Sequence, residues 1–380
     1  MKRALATIIA RSAAAAALML ALSAAATAQS GRVQQTPTPT PADDTVRVST
    51  EEIKLNVLAF DENGKFYSGV TADDLVITEN DRLHQPTSVR RLPANVLIVL
   101  DTGGELRSVK SLDKTRAVAR AVALALAPGD SVAVMQYSDR PEIVDEWTTD
   151  RSQTLAAIAR KTSFGRRSAF VDAITMATDF MLRAPVENRH LVLITDGTDS
   201  QGRSSAKFDA FQRLLTTDIS VHVLSYTLME SGDIEPRTKG ISNSPPPKAM
   251  PDEVAAGLPN GVRDVATAPR AKTISLDRTL IKRMKSRKAD LEDAQERLEL
   301  LAENTNGEFI LPLSPDEMEL KAPLVARMID ASYVVTYMPK IPVVESRGIA
   351  ERVIDVMSKR PGLIVQARRK LLIDSTPAKK

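Results

Sequence analysis

A doubly wound, mostly parallel α/β sheet inserted into a small β-sandwich module is the architecture the sequence predicts, and three observations carry it. Two short apolar runs, Val96 to Leu100 and Leu191 to Ile194, lack polar alternation, and each delivers a carboxylate at its end, Asp101 and Asp196. Runs that short, rich in β-branched residues and stopped by turn residues, are strands buried on both faces at the centre of a parallel sheet. Strand-like and helix-like stretches alternate from 93 to 331, and further strand-like runs flank that segment on both sides.

At 380 residues the chain exceeds one average domain, so two folded units with unpacked segments are expected. The formal charge is +3, but Lys2, Arg3 and Arg11 fall in the first 28 residues, which hold no acid, and the rest carries 48 basic and 48 acidic residues. That balance argues against a general electrostatic grip on nucleic acid or anionic lipid. Residues 1–28 join a basic start, an Ala- and Leu-rich middle and the cleavage pattern Ala26-Thr27-Ala28. They predict a secretory signal peptide, hence an exported protein, periplasmic or secreted, with no stable membrane insertion after cleavage. An uncleaved anchor is disfavoured by the mild hydrophobicity of alanine. The chain has no Cys, so neither a disulfide nor a zinc–thiolate site supports the fold.

Taken in order, residues 29–45 are rich in Thr and Pro and predict an extended linker. The segment 46–92 is expected to form the first half of the β module. Ile53, Leu55, Val57 and Ala59 alternate, DENG marks a hairpin turn, and a second strand pair turns at Glu79-Asn80-Asp81. The α/β domain is expected over 93–331. Helices are predicted at 108–126, where Leu112, Ala117, Val118, Ala121, Val122 and Leu124 share a helical face, then at 151–161, 168–182 and 207–216. Strands are predicted at 131–137, 141–147 as an antiparallel edge, and 219–226.

Residues 228–275 lose periodicity, are rich in Pro, Gly and Ser, and predict an irregular insertion. The helix that follows is basic in its first half, from Arg278 to Lys288, and acidic in its second, from Asp290 to Glu299. Leu291, Ala294, Leu298 and Leu301 make its apolar seam. Its charges either pair locally or offer a docking surface to a partner. A last sheet strand in GEFILPL and a helix at 315–329 precede three strand-like runs over 332–373, the second half of the β module, and a tail at 374–380.

The motifs VLIVLDTGGE, GRRSAFVDAI, HLVLITDGTDS, NTNGEFILP, SYVVTYMP and KRPGLIVQARR together resemble the von Willebrand factor A domain. More narrowly, the chain is similar to bacterial exported proteins of the acidobacterial type, in which that domain is embedded in a β module. The resemblance implies a binding module rather than an enzyme. It also implies one divalent cation, Mg²⁺ or another, at a metal-ion-dependent adhesion site on the sheet's carboxyl edge. Its ligands in this sequence would be Asp101, Ser168 and Asp196, with Glu105 as a substitute ligand, because the two serines of the family pattern are replaced by Gly103 and Glu105. Mg²⁺ favours about six oxygens, so the loss of two hydroxyls weakens such a site. A competing arrangement needs no metal: Arg166 or Arg167 enters the acidic cluster and closes it by bidentate pairing. Asp172 and Asp199, which resemble acids at similar places in the family, are expected to cap helices or brace loops rather than to ligate.

Enzyme chemistry finds little support. His84, His190 and His222 are scattered without a carboxylate or second His at ligand spacing. Gly103-Gly104 is not a phosphate loop, and Ser168 has no sequence-visible base. The expected function is protein–protein interaction through the degenerate cation site. The alternative is a metal-free structural or assembly component of the cell envelope acting through the charged helix 278–303.

Overall fold

The computed structural model describes residues 52–104, 109–200, 204–242, 273–274, 277–342 and 349–374. The expected signal peptide, the linker and the last residues of the tail lie outside them. In chain order the elements are β1 (Ile53–Phe60), β2 (Leu75–Glu79), β3 (Arg82–His84), β4 (Ser88–Arg90), β5 (Asn95–Asp101), α1 (Leu112–Ala125), β6 (Ser131–Tyr137) and β7 (Pro141–Thr148). They continue with α2 (Arg151–Arg160), α3 (Phe170–Arg183), β8 (Arg189–Thr195), α4 (Ser204–Leu215), β9 (Ser220–Ser225), α5 (Thr227–Thr238), β10 (Ile241–Ser242) and β11 (Thr273–Ile274). The last are α6 (Arg278–Asn304), β12 (Phe309–Ile310), α7 (Pro315–Asp330), β13 (Ser332–Tyr337), β14 (Ile349–Ser358), β15 (Ile364–Ala367) and β16 (Lys370–Asp374).

The central sheet has the order β12-β9-β8-β5-β6-β7. All its pairings are parallel except β6 with β7, the expected antiparallel edge. Because strand side chains alternate between faces, the apolar runs feed two cores. Val96, Ile98, Leu100, Val192 and Ile194 face α1, α2 and α7. Leu97, Val99, Leu191, Leu193, Val221 and Val223 face α3, α4 and α6. This two-sided burial is why the strands read as unbroken apolar runs. The order reverses between β5 and β8, so their carboxyl ends flank the switch point, where open α/β sheets bind ligands.

The β module closes as expected, from both ends of the chain. Strands β15-β1-β13-β4 form one antiparallel sheet and β16-β14-β2-β3 the other, with Leu55, Val57, Leu75, Ile77, Val335 and Ile354 between them. The hairpin predicted at DENG is shorter than its pattern suggests, since the returning strand is reduced to a single bridge between Phe60 and Phe66.

Two expectations are corrected. The segment from 228 is not irregular at its start: α5 occupies Thr227–Thr238 and buries Met229, Glu230 and Ile234. Gly232 and Pro236 obscure its periodicity, because a glycine adds nothing to an apolar seam and a proline beyond the first turn reads as a helix break. Leu124, assigned to the buried face of α1, is 60% exposed, and the helix buries Thr115, Val118, Ala119, Val122 and Ala123 instead.

At the amino edge of the sheet, His190 and His222 prove to be neighbours. The backbone N–H of Glu308 donates to His222 Nδ1 at 3.2 Å. That leaves His222 Nε2–H to donate to His190 Nδ1 at 3.1 Å, and His190 Nε2–H to donate to Asn188 Oδ1 at 2.9 Å. Burial, and for His190 the neighbouring His222, holds His190 well below the ordinary histidine range. Burial lowers His222 to about 3. Both rings are therefore neutral structural parts.

Candidate functional site

The carboxyl edge holds a buried cluster of opposite charges. Asp101 ends β5, and Asp196 follows β8 on the adjacent strand, at 0% and 1% exposure. Between them lies the ammonium of Lys110, with Nζ 2.8 Å from Asp101 Oδ2 and 3.2 Å from Asp196 Oδ2. A second cation arrives from α6: Arg287 reaches Asp196 Oδ2 at 3.2 Å, Glu230 Oε2 at 2.8 Å and Thr198 Oγ1 at 2.8 Å. Glu230 comes from α5, the helix hidden in the apparently irregular segment.

The remaining carboxylate lone pairs are largely occupied. Asp101 Oδ1 accepts from Gly103 N at 3.1 Å, and Asp101 Oδ2 also accepts from Thr195 Oγ1 at 3.3 Å. Asp196 Oδ1 accepts from the backbone N–H and hydroxyl of Thr198 at 2.8 and 2.6 Å. Burial opposes the charged form of Lys110, but Asp101, Asp196 and Glu230 outweigh it and hold the ammonium above its ordinary range. Burial likewise acts against ionised Asp196, yet Lys110 and Arg287 keep its carboxyl well below the usual range. Burial, helped by Asp196, raises Asp101 against the pull of Lys110. Burial and then Asp196 push Glu230 up to about 8, against Lys110 and Arg287. The cluster thus sets three carboxyl groups, Asp101, Asp196 and Glu230, against two cations, Lys110 and Arg287.

Both glycines after Asp101 have a steric reason. A Cβ on Gly103 would lie 1.8 Å from the Arg167 carbonyl oxygen, so no hydroxyl-bearing residue fits there. Gly104 has φ of +117°, and a Cβ on it would stand 3.3 Å from Lys110 Nζ. The turn is thus shaped around both the loop that carries Arg167 and the ammonium.

Of the four expected metal ligands, the structure brings Asp101 and Asp196 together on one ammonium. Ser168 is buried, its Oγ has no hydrogen-bond partner among the described residues, and its backbone N–H donates to Ser200 Oγ at 2.9 Å. Glu105 lies outside the described residues. The metal-free closure by Arg166 or Arg167 is replaced by one from Lys110 and Arg287, because the residues at 166 and 167 are exposed. Asp199 helps cap a helix, one of the two roles expected of it, accepting from Val171 N in the first turn of α3 at 3.3 Å. Among the described residues no three His, Cys, Asp or Glu side chains are grouped to hold a metal ion. The donor set does not fit a divalent ion, since an ammonium already sits on the inward oxygens that such an ion would bridge.

Sequence reasoning missed Lys110 and Glu230. The only signal for the first was a lysine in the loop between a strand-end aspartate and the next helix.

The model of the von Willebrand factor type A domain matches residues 96–198, which span both aspartates. The chain carries a von Willebrand factor type A domain. Such domains are generally interaction modules. Among solved structures, the chain is similar to an aerotolerance-related membrane protein from Bacteroides fragilis NCTC 9343 with multiple mutations to serines, at 16% identity over 62% of this chain and 98% of that one, with a TM-score of 0.37. It is also similar to the manganese-loaded TRAP protein of Plasmodium vivax, at 9% identity over 77% and 96% of the two chains, with a TM-score of 0.34. A von Willebrand factor type A protein from Catenulispora acidiphila shares 12% identity over 86% and 74%, with a TM-score of 0.32. Comparison with curated proteins gives no match.

An apolar groove of about 300 Å³ lies between α4 and α6 and reaches Leu372 of β16. Phe208, Phe211, Leu215, Leu300 and Leu301 line it, with Phe208 66% and Leu300 48% exposed. It adjoins a polar cleft bounded by Thr198, Asp199, Lys207, Asp290, Asp293 and Arg297. Among the described residues no helix is long and apolar enough to cross a membrane.

Proposed function

We propose that this is an exported binding protein that carries a von Willebrand factor type A domain and engages a protein partner along the groove between α4 and α6. The observation that carries the reading is the exposed Phe208 and Leu300 over an apolar floor, next to a mixed-charge cleft. Aromatic anchors in an apolar centre with a polar rim are the anatomy of a protein interface. Export rests on the signal-peptide pattern of residues 1–28. Partner capture through a divalent ion on Asp101, Glu105, Ser168 and Asp196 is not part of this proposal, because Lys110 stands between the two aspartates.

The charged helix enters this function as one wall of the groove rather than as a separate surface. Part of its basic half is consumed internally, Arg287 on Asp196 and Glu230 and Lys288 on Glu235. The test is affinity capture from envelope and secreted fractions with wild type and Phe208→Asp in parallel. A protein retained by the first and lost by the second supports the groove. Equal retention by both removes the groove from the interaction.

A further inference from the structure

The type A fold usually presents an open cation position at this edge, and here that position is built around a side chain. We infer that Lys110 is a tethered cation that permanently replaces the divalent ion, and that its removal would uncover a latent metal site.

Four observations carry this. The ammonium contacts both aspartates through the oxygens that face each other across the switch point, at 2.8 and 3.2 Å. Mg²⁺ binds carboxylate oxygen at about 2.0–2.1 Å, so ion and ammonium cannot share those oxygens. Lys110 is 2% exposed, and Gly104, in a conformation that favours glycine, leaves room for its Nζ. Gly103 excludes a hydroxyl ligand by its contact with the Arg167 carbonyl. Arg287 covers the outer side of Asp196, so the cluster has its full complement of positive charge without any ion.

The charge count makes the inference testable. Loss of the Lys110 ammonium leaves the carboxyl groups of Asp101, Asp196 and Glu230 facing the single guanidinium of Arg287. A net negative hole lined by carboxylate oxygens attracts a hard divalent cation.

The experiment titrates Mn²⁺ into the purified full chain, following the free Mn²⁺ resonance and the melting temperature, for wild type, Lys110→Ala and Lys110→Ala/Asp196→Asn. Wild type should show no saturable binding and no change in melting temperature with Mn²⁺ or chelator. Lys110→Ala should bind one Mn²⁺ at least tenfold more tightly than wild type and melt higher when it is bound, and the double variant should lose that gain. Saturable Mn²⁺ binding by wild type would overturn the inference, as would a folded Lys110→Ala that ignores Mn²⁺. Should Lys110→Ala fold only in Mn²⁺, the inference is supported; should it fold in neither condition, the wild-type titration decides. The result does not depend on the partner-binding groove, so failure here leaves that proposal standing, and the reverse holds too.

Discussion

The two edges of the central sheet both bury polar side chains, and they satisfy them in opposite ways. At the carboxyl edge, Asp101, Asp196, Lys110, Arg287 and Glu230 set charge against charge. At the amino edge, where β13 of the sandwich meets the sheet, His222, His190 and Asn188 form a chain of neutral donors and acceptors, and Ser332 closes on the Ile329 carbonyl at 2.7 Å. A buried ion pair adds little net stability compared with apolar packing, yet breaking it leaves a charge stranded. A neutral network keeps its hydrogen bonds only while its tautomers last. The carboxyl edge is therefore sensitive to losing a partner, and the amino edge to gaining a proton.

The largest expected break is at the carboxyl edge. Lys110→Ala, measured without divalent ions, should lose about 3–5 kcal/mol of unfolding free energy, the usual cost of stranding a buried charge. Lys110→Ala/Asp101→Asn should recover a substantial part of that loss. A loss under about 1 kcal/mol, within the range of exposed ion pairs, would mean that the ammonium does not hold this edge together.

Acid should act next, at the other edge. His222 is depressed to about 3 in the fold, against about 6.5 in the unfolded chain. Between those values the unfolded state binds the extra proton, so its contribution is present above pH 6.5 and is lost as pH falls. Over pH 6.5 to 5 that amounts to about 2 kcal/mol. Denaturant unfolding of His222→Gln should show a shallower acid slope than wild type by about that amount, and parallel slopes would remove the neutral pair from the account.

A smaller effect of opposite sign belongs to Glu230. Its carboxyl is raised to about 8, so the native state holds a proton the unfolded chain has released. That stability is full below the unfolded value and is lost as pH rises through about 8. From pH 7 to 8 the loss should be about 1 kcal/mol, and Glu230→Gln should flatten it. Phe208→Asp touches neither edge cluster, and as a surface change it should stay within about 0.5 kcal/mol.

Much of the architecture was legible because its signals are local. Val96 to Leu100 and Leu191 to Ile194 declare buried parallel strands through composition alone, and the strand runs on either side of the α/β segment required a second sheet system. The helix α5 escaped because Gly232 and Pro236 break the apolar spacing that tertiary packing of Met229 and Ile234 restores. His190 and His222 read as scattered because 32 residues separate them in the chain, whereas β8 and β9 are adjacent and place their rings side by side.

By itself the sequence determined the main strands, the order of the helices other than α5 and the arrival of Asp101 and Asp196 at one edge, since periodicity and turn chemistry act over a few residues. What occupies the space between those aspartates was decided only by tertiary structure. Lys110, Glu230 and Arg287 come from a loop and two helices far apart in the chain, and any of several cations, Arg166 and Arg167 included, could have been drawn to the same negative charge. Coulomb attraction selects for proximity and burial, and neither is written in residue type.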